Sequence, residues 1–149
     1  MKKFNLGFII LMSLTVLLST CEKVENTPTE GELIKKLLTT KSGGWTNPEV
    51  DIPVGSATLP EDWINFKAVF DARRIITSGH APGAEAVWPS SEYVLNEQGN
   101  EITRLADGIV MTIESSDEQQ IIVSFEVPEG VTASGRTKVL KGKYKFTLR

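Results

Sequence analysis

The chain has 149 residues, of which 40% are hydrophobic and 23% charged, with a formal net charge of −3 and a single cysteine. One cysteine excludes an internal disulfide. The acidic balance argues against nucleic acid, whose binding needs a basic face.

At the N-terminus, Lys2 and Lys3 precede an apolar run from Leu6 to Leu18, then the small pair Ser19-Thr20 and Cys21. That is the order of a secretory signal peptide, and the run is shorter than the roughly 20 residues that cross a bilayer. A core helix this apolar on every face would have to be wrapped by the rest of a small domain. Leu18-Ser19-Thr20-Cys21 resembles the processing box of bacterial lipoproteins, in which the thiol is alkylated with diacylglycerol and the cysteine becomes residue one. The resemblance implies a signal peptide over 1–20, lipidation of Cys21 and a lipid-anchored location in the cell envelope. The competing reading is a chance cysteine beside an ordinary cleavage site. Two or three acyl chains hold a protein on a membrane where one does not.

Two of the 16 basic residues and none of the 19 acidic ones precede Cys21, so the chain from Cys21 onward carries a net charge of −5. This offers no polybasic patch, and anchoring rests on the acyl chains. Residues 21–28 form the lipidated cysteine and a polar tether that places the domain roughly 20 Å from the lipid at about 3.3 Å per residue. Glu22, Lys23 and Glu25 are similar to the export signal of Bacteroidota lipoproteins, which implies the outer membrane. Its periplasmic and surface-exposed sides both stay open.

Residues 29–149 make one domain. Thr29-Glu30-Gly31-Glu32 has capping-box spacing. Leu33, Ile34, Leu37 and Leu38 follow on one helical face, and Gly43-Gly44 ends a helix of two to three turns. Beyond it the pattern has period two. Phe66, Ala68, Phe70 and Ala72 alternate with a more polar set of residues, as do Ile109, Met111 and Ile113, then Ile121, Val123, Phe125 and Val127, then Tyr144, Phe146 and Leu148. One apolar face per strand predicts an antiparallel sheet covering a core. Strands are expected near 91–97, 101–106, 109–114, 119–127 and 142–148, with two further segments near 45–54 and 64–77. Asp107-Gly108 is a pair that tight hairpins prefer. The fold expected is all-β: a small up-and-down barrel or closed sandwich of seven or eight strands with one short N-terminal helix.

Gly43-Gly44-Trp45 after a helix is similar to the opening of lipocalin-like proteins, whose G-x-W motif starts the first strand. The resemblance implies that Trp45 closes one barrel end beneath a cation from Arg149 or Arg136. Val87-Trp88-Pro89-Ser90, Arg104…Asp107-Gly108, Gly135-Arg136 and Gly142 to Phe146 resemble small lipocalin-like lipoproteins of Bacteroidota.

Catalytic and metal-binding patterns are sparse. His80 is the sole histidine, and no nucleophile motif or orienting acid marks a partner for it. A metal site needs several ligands, and one histidine without a free thiol does not provide them. Glu61-Asp62 and Asp117-Glu118 sit in expected turns, and no glycine spacing suits a phosphate loop. No cofactor is implied. Trp45, Trp63 and Trp88 are the candidate ligand-binding residues, either as exposed platforms for a glycan or peptide or as plugs of the barrel ends. Arg73-Arg74 and the basic run Arg136 to Lys145 suit an anion or a solvated strand face. The leading expectation is a non-enzymatic envelope lipoprotein that binds a small apolar ligand, a glycan or a protein. The alternatives are an accessory subunit of an outer-membrane complex and an unrecognised hydrolase using His80.

Overall fold

A computed structural model describes residues 27–46, 48–129 and 140–149. The expected signal segment 1–20, Cys21, most of the expected 21–28 tether and Arg136 lie outside the described residues.

The capping box forms as its spacing requires. The Thr29 hydroxyl accepts the Glu32 N–H at 3.2 Å, and the Glu32 carboxylate accepts the Thr29 N–H at 2.8 Å. The helix α1 that follows runs Glu30–Thr40. It stops where Gly44, at φ +80°, takes a left-handed turn and donates to the Lys41 carbonyl.

Eight antiparallel strands make one curled sheet, a half-barrel in outline. They are β1 Glu49–Asp51, β2 Lys67–Phe70, β3 Arg74–Ser78, β4 Ser91–Leu95, β5 Glu101–Arg104, β6 Val110–Ser116, β7 Ile121–Val127 and β8 Gly142–Leu148. Their order is β1-β8-β7-β6-β5-β4-β3-β2, a meander in which β1 returns to pair with β8. The alternation works as expected: Met111, Ile113, Ile121, Val123, Phe125, Tyr144, Phe146 and Leu148 are all buried.

Three expectations change in detail. The segment 64–77 is two strands, because the Asp71 carboxylate accepts the backbone N–H groups of Arg73 and Arg74 and turns the chain without glycine or proline. Among the described residues of the segment 45–54, a strand forms at 49–51. Asp107-Gly108 is part of a four-residue loop rather than a two-residue turn. The pair Arg104–Ile109 closes the loop, and Gly108, at φ +72°, donates to the Arg104 carbonyl.

The residues just before β1 reach the β2 edge on one side and the end of β8 on the other. Trp45 and Ala68 exchange backbone hydrogen bonds of 2.8 and 2.9 Å, and Thr46 and Arg149 exchange two of 2.8 Å. The strand directions place α1 and the turns 71–73, 96–100 and 117–120 at one end. Segments 52–66, 79–90 and 105–108 lie at the other.

Candidate functional site

The interior at the end away from α1 is filled with rings. Trp63 and Trp88 each stand edge-on to Phe146 at 4.9 Å, and Phe66 lies 5.4 and 5.2 Å from the two indoles. Phe125 stacks on Phe146 at 5.7 Å and on Tyr144 at 6.1 Å. Such offset and edge contacts give a dense apolar core. Trp45, Trp63 and Trp88 are all fully buried, so none presents a ring face to solvent as a glycan platform. The indole N–H groups of Trp63 and Trp88 have no hydrogen-bond partner among the described residues, whereas that of Trp45 donates to the Leu38 carbonyl at 3.1 Å.

A fully buried arginine, Arg104, sits against this cluster. It donates to both carboxylate oxygens of Asp107, at 3.2 and 2.6 Å, and to the Val87 carbonyl at 2.8 Å, with its guanidinium 5.0 Å from the Phe125 ring. Burial pulls its pKa down, and the Asp107 carboxylate works in the opposite direction. Two stretches far apart in sequence, Val87-Trp88 and Arg104…Asp107-Gly108, thus meet through one side chain.

Trp45 lies at the helix end. The cation over its ring is Lys41, with Nζ 4.2 Å from the centroid. Arg149, expected in that role, faces Glu49 at 3.6 Å instead. The physical reason is the register that pairs Arg149 backbone-to-backbone with Thr46, while Lys41 sits at the C-cap of α1 next to the indole.

Around Lys41 an open hollow of about 550 Å³ runs between α1 and the 117–120 turn. Leu33, Leu37 and Trp45 supply its apolar wall, and Lys36, Lys41, Thr40 and Glu118 its polar one. Leu33 is 53% exposed, so the predicted four-residue apolar stripe divides. Leu38 is buried, Ile34 and Leu37 pack partly against the core, and Leu33 faces the hollow. The volume falls within the roughly 300–1,000 Å³ usual for small-molecule sites, and an apolar wall with a few charged groups is their usual composition. Glu118 could not be linked to α1 from sequence, since only the fold brings the 117–120 turn beside the helix.

The remaining candidates are dispersed. His80 is half-buried with its ring 6.4 Å from Phe66, and its side chain makes no hydrogen bond among the described residues. Asp62 accepts the Leu59 N–H, and Asp117 accepts those of Gln119 and Gln120, so one acid of each pair caps a turn. Arg73 and Arg74 are exposed, and Lys145 pairs with Glu114 at 2.8 Å. That pairing, with a hydrogen bond from Ser124, lowers the Glu114 pKa, and it raises that of Lys145. Among the described residues no group of three or more metal-ligating side chains assembles, and no helix is long and apolar enough to cross a membrane. The chain matches no protein-family model, no curated protein and no solved structure.

Proposed function

We propose that this chain is a lipid-anchored envelope protein, tethered through Cys21, whose β-domain has a non-enzymatic binding role exercised at its helix end. One observation carries the binding reading: aromatic rings occupy the interior, while an apolar hollow with charged groups stands open beside α1. In this reading the domain is a closed barrel filled by side chains, and the ligand binds outside it. What supports closure is the pair of backbone bridges by which Trp45 and Thr46 reach Ala68 and Arg149. The support for the anchor is the signal-like segment ending at Cys21.

Two measurements test this. Cys21→Ser is expected to abolish metabolic palmitate labelling and membrane fractionation, and unchanged labelling overturns the anchor. Native mass spectrometry of the protein from its own host is expected to show a bound small molecule. A bare chain mass overturns the binding role.

A second reading, an accessory subunit of an outer-membrane complex, is favoured by the opposite end. There Val54, Leu59, Ile64 and Leu105 are all more than half exposed on the loops, as a docking surface requires. Crosslinking in intact cells through positions 59 and 64 is expected to capture a partner if this reading holds, and recovery of none removes it.

A further inference from the structure

The chemistry of the hollow narrows the class of ligand. From its contents we infer that the hollow beside α1 is a binding site for a single-chain anionic amphiphile, an apolar chain ending in a carboxylate. This rests on the binding role proposed above and assigns it a place and a ligand class. Leu33 and Leu37 lie one turn apart on α1 and form the accessible apolar wall, with Trp45 buried behind it beneath Lys41. An apolar chain laid there would cover Leu33, which is left 53% exposed.

The polar wall selects the sign of the head group. Lys36 and Lys41 both line the hollow, against one acid, Glu118. Lys41 is held in place, its ammonium 4.2 Å above the Trp45 ring. A cation on an aromatic face keeps donors free for an anion, because the ring uses none of its N–H groups as a carboxylate partner would. No ion pair to Lys36 or Lys41 forms among the described residues. Glu118 disfavours an anion on its own side and so directs the head group toward the lysines. An uncharged sugar would leave both ammonium groups unmatched, and a cationic ligand would oppose them.

Trp45 reports on the site. It lines the hollow, whereas Trp63 and Trp88 are packed into the ring cluster at the other end. The probe is dibromostearate, whose bromines quench indole emission at short range and so reach the buried Trp45 ring from the hollow, used below its micelle concentration. The protein is the full chain carrying Cys21→Ser, so that no acyl chain of its own competes. Saturable quenching of part of the emission is expected, and Trp45→Phe should remove that part. Lys36→Met should weaken binding about tenfold, the share of one charge-assisted hydrogen bond, and Glu118→Gln should strengthen it. Circular dichroism and thermal melts check that these surface variants are folded. Absence of saturable quenching, its survival in Trp45→Phe, or equal affinity for the matching brominated alcohol overturns the inference. If quenching fails while native mass spectrometry still finds a bound molecule, the binding role stands and the ligand lies elsewhere. Palmitate labelling of the unaltered chain tests the anchor independently of either result.

Discussion

Arg104 and Asp107 are joined by two hydrogen bonds of 3.2 and 2.6 Å, with the guanidinium fully buried and the carboxylate 30% exposed. The pair explains the length of its loop, since Asp107 must turn back three residues to reach Arg104 while it also accepts the Ile109 N–H at 3.1 Å. Removing the acid strands a buried cation. Asp107→Ala is therefore expected to cost about 2–3 kcal/mol, below the figure for a wholly buried pair because Asp107 keeps some contact with water. Arg104→Met removes the charge together with its partner's task and should cost less. Urea unfolding of the two variants checks the order, and an equal or reversed ranking contradicts the account.

Gly31 is the point where α1 meets the sheet. Its N–H donates to the Glu97 carbonyl at 3.0 Å, and a Cβ there would stand 2.7 Å from the Asn96 carbonyl oxygen. In an open helix, glycine to alanine gains roughly 1 kcal/mol. At position 31 the added methyl meets backbone that cannot rotate away, so Gly31→Ala is expected to lower the melting temperature. Gly43→Ala is the control, with nothing within 4 Å of its Cβ and no left-handed strain. It should be neutral or stabilise by about 0.4–1 kcal/mol. A melt in which both changes act alike rejects the role assigned to Gly31.

What was legible in the sequence was local. The capping box, the period-two faces of β6, β7 and β8 and the left-handed glycine of the 105–108 loop all depend on near neighbours, and all appear as expected. Interactions across the chain were hidden. Nothing local links Val87 to Arg104, Glu118 to α1, or Gly31 to the 96–100 turn. The break at Asp71 was missed because a side-chain carboxylate did the work usually signalled by glycine or proline. The tryptophans were visible as candidates, but only the packing of Trp63 and Trp88 on Phe146 decides between platform and plug.

Asp71 also makes stability depend on pH. The Arg73 N–H, then the Arg74 N–H, hold its carboxyl below the usual aspartate range. A carboxyl whose pKa is depressed by folding contributes stability that is full above the unfolded value of about 3.9 and is lost as pH falls through the folded value. Asp71→Ala is therefore expected to lower the urea midpoint at neutral pH. The gap from the unaltered protein should close as the pH is taken from about 4 toward 2. A gap that stays constant across that range would show that the carboxylate's charge is not what holds the turn.

Tyr144 makes the complementary case for a neutral group. Its hydroxyl donates to the Leu140 carbonyl at 3.0 Å and meets the hydroxyls of Ser56 and Thr58, the latter at 3.2 Å. It thereby ties the segment after β1 to β8 at the end away from the helix. Among the described residues the Tyr93 hydroxyl reaches only the Asp71 carbonyl, at 2.9 Å, in a turn that the Asp71 side chain already closes. Tyr144→Phe takes the hydroxyl donor from the buried Leu140 carbonyl, while the Ser56 and Thr58 hydroxyls keep each other, and is expected to cost about 1–3 kcal/mol. Tyr93→Phe should cost about 1 kcal/mol or less, the net contribution of a single neutral hydrogen bond. Hydrogen exchange separates local from global loss. Amides at 56 and 58 should exchange faster in Tyr144→Phe by a larger factor than those of β6 and β7, because the hydroxyl fastens that segment and not the sheet. Uniform acceleration would mean that Tyr144 acts through the core ring stack alone.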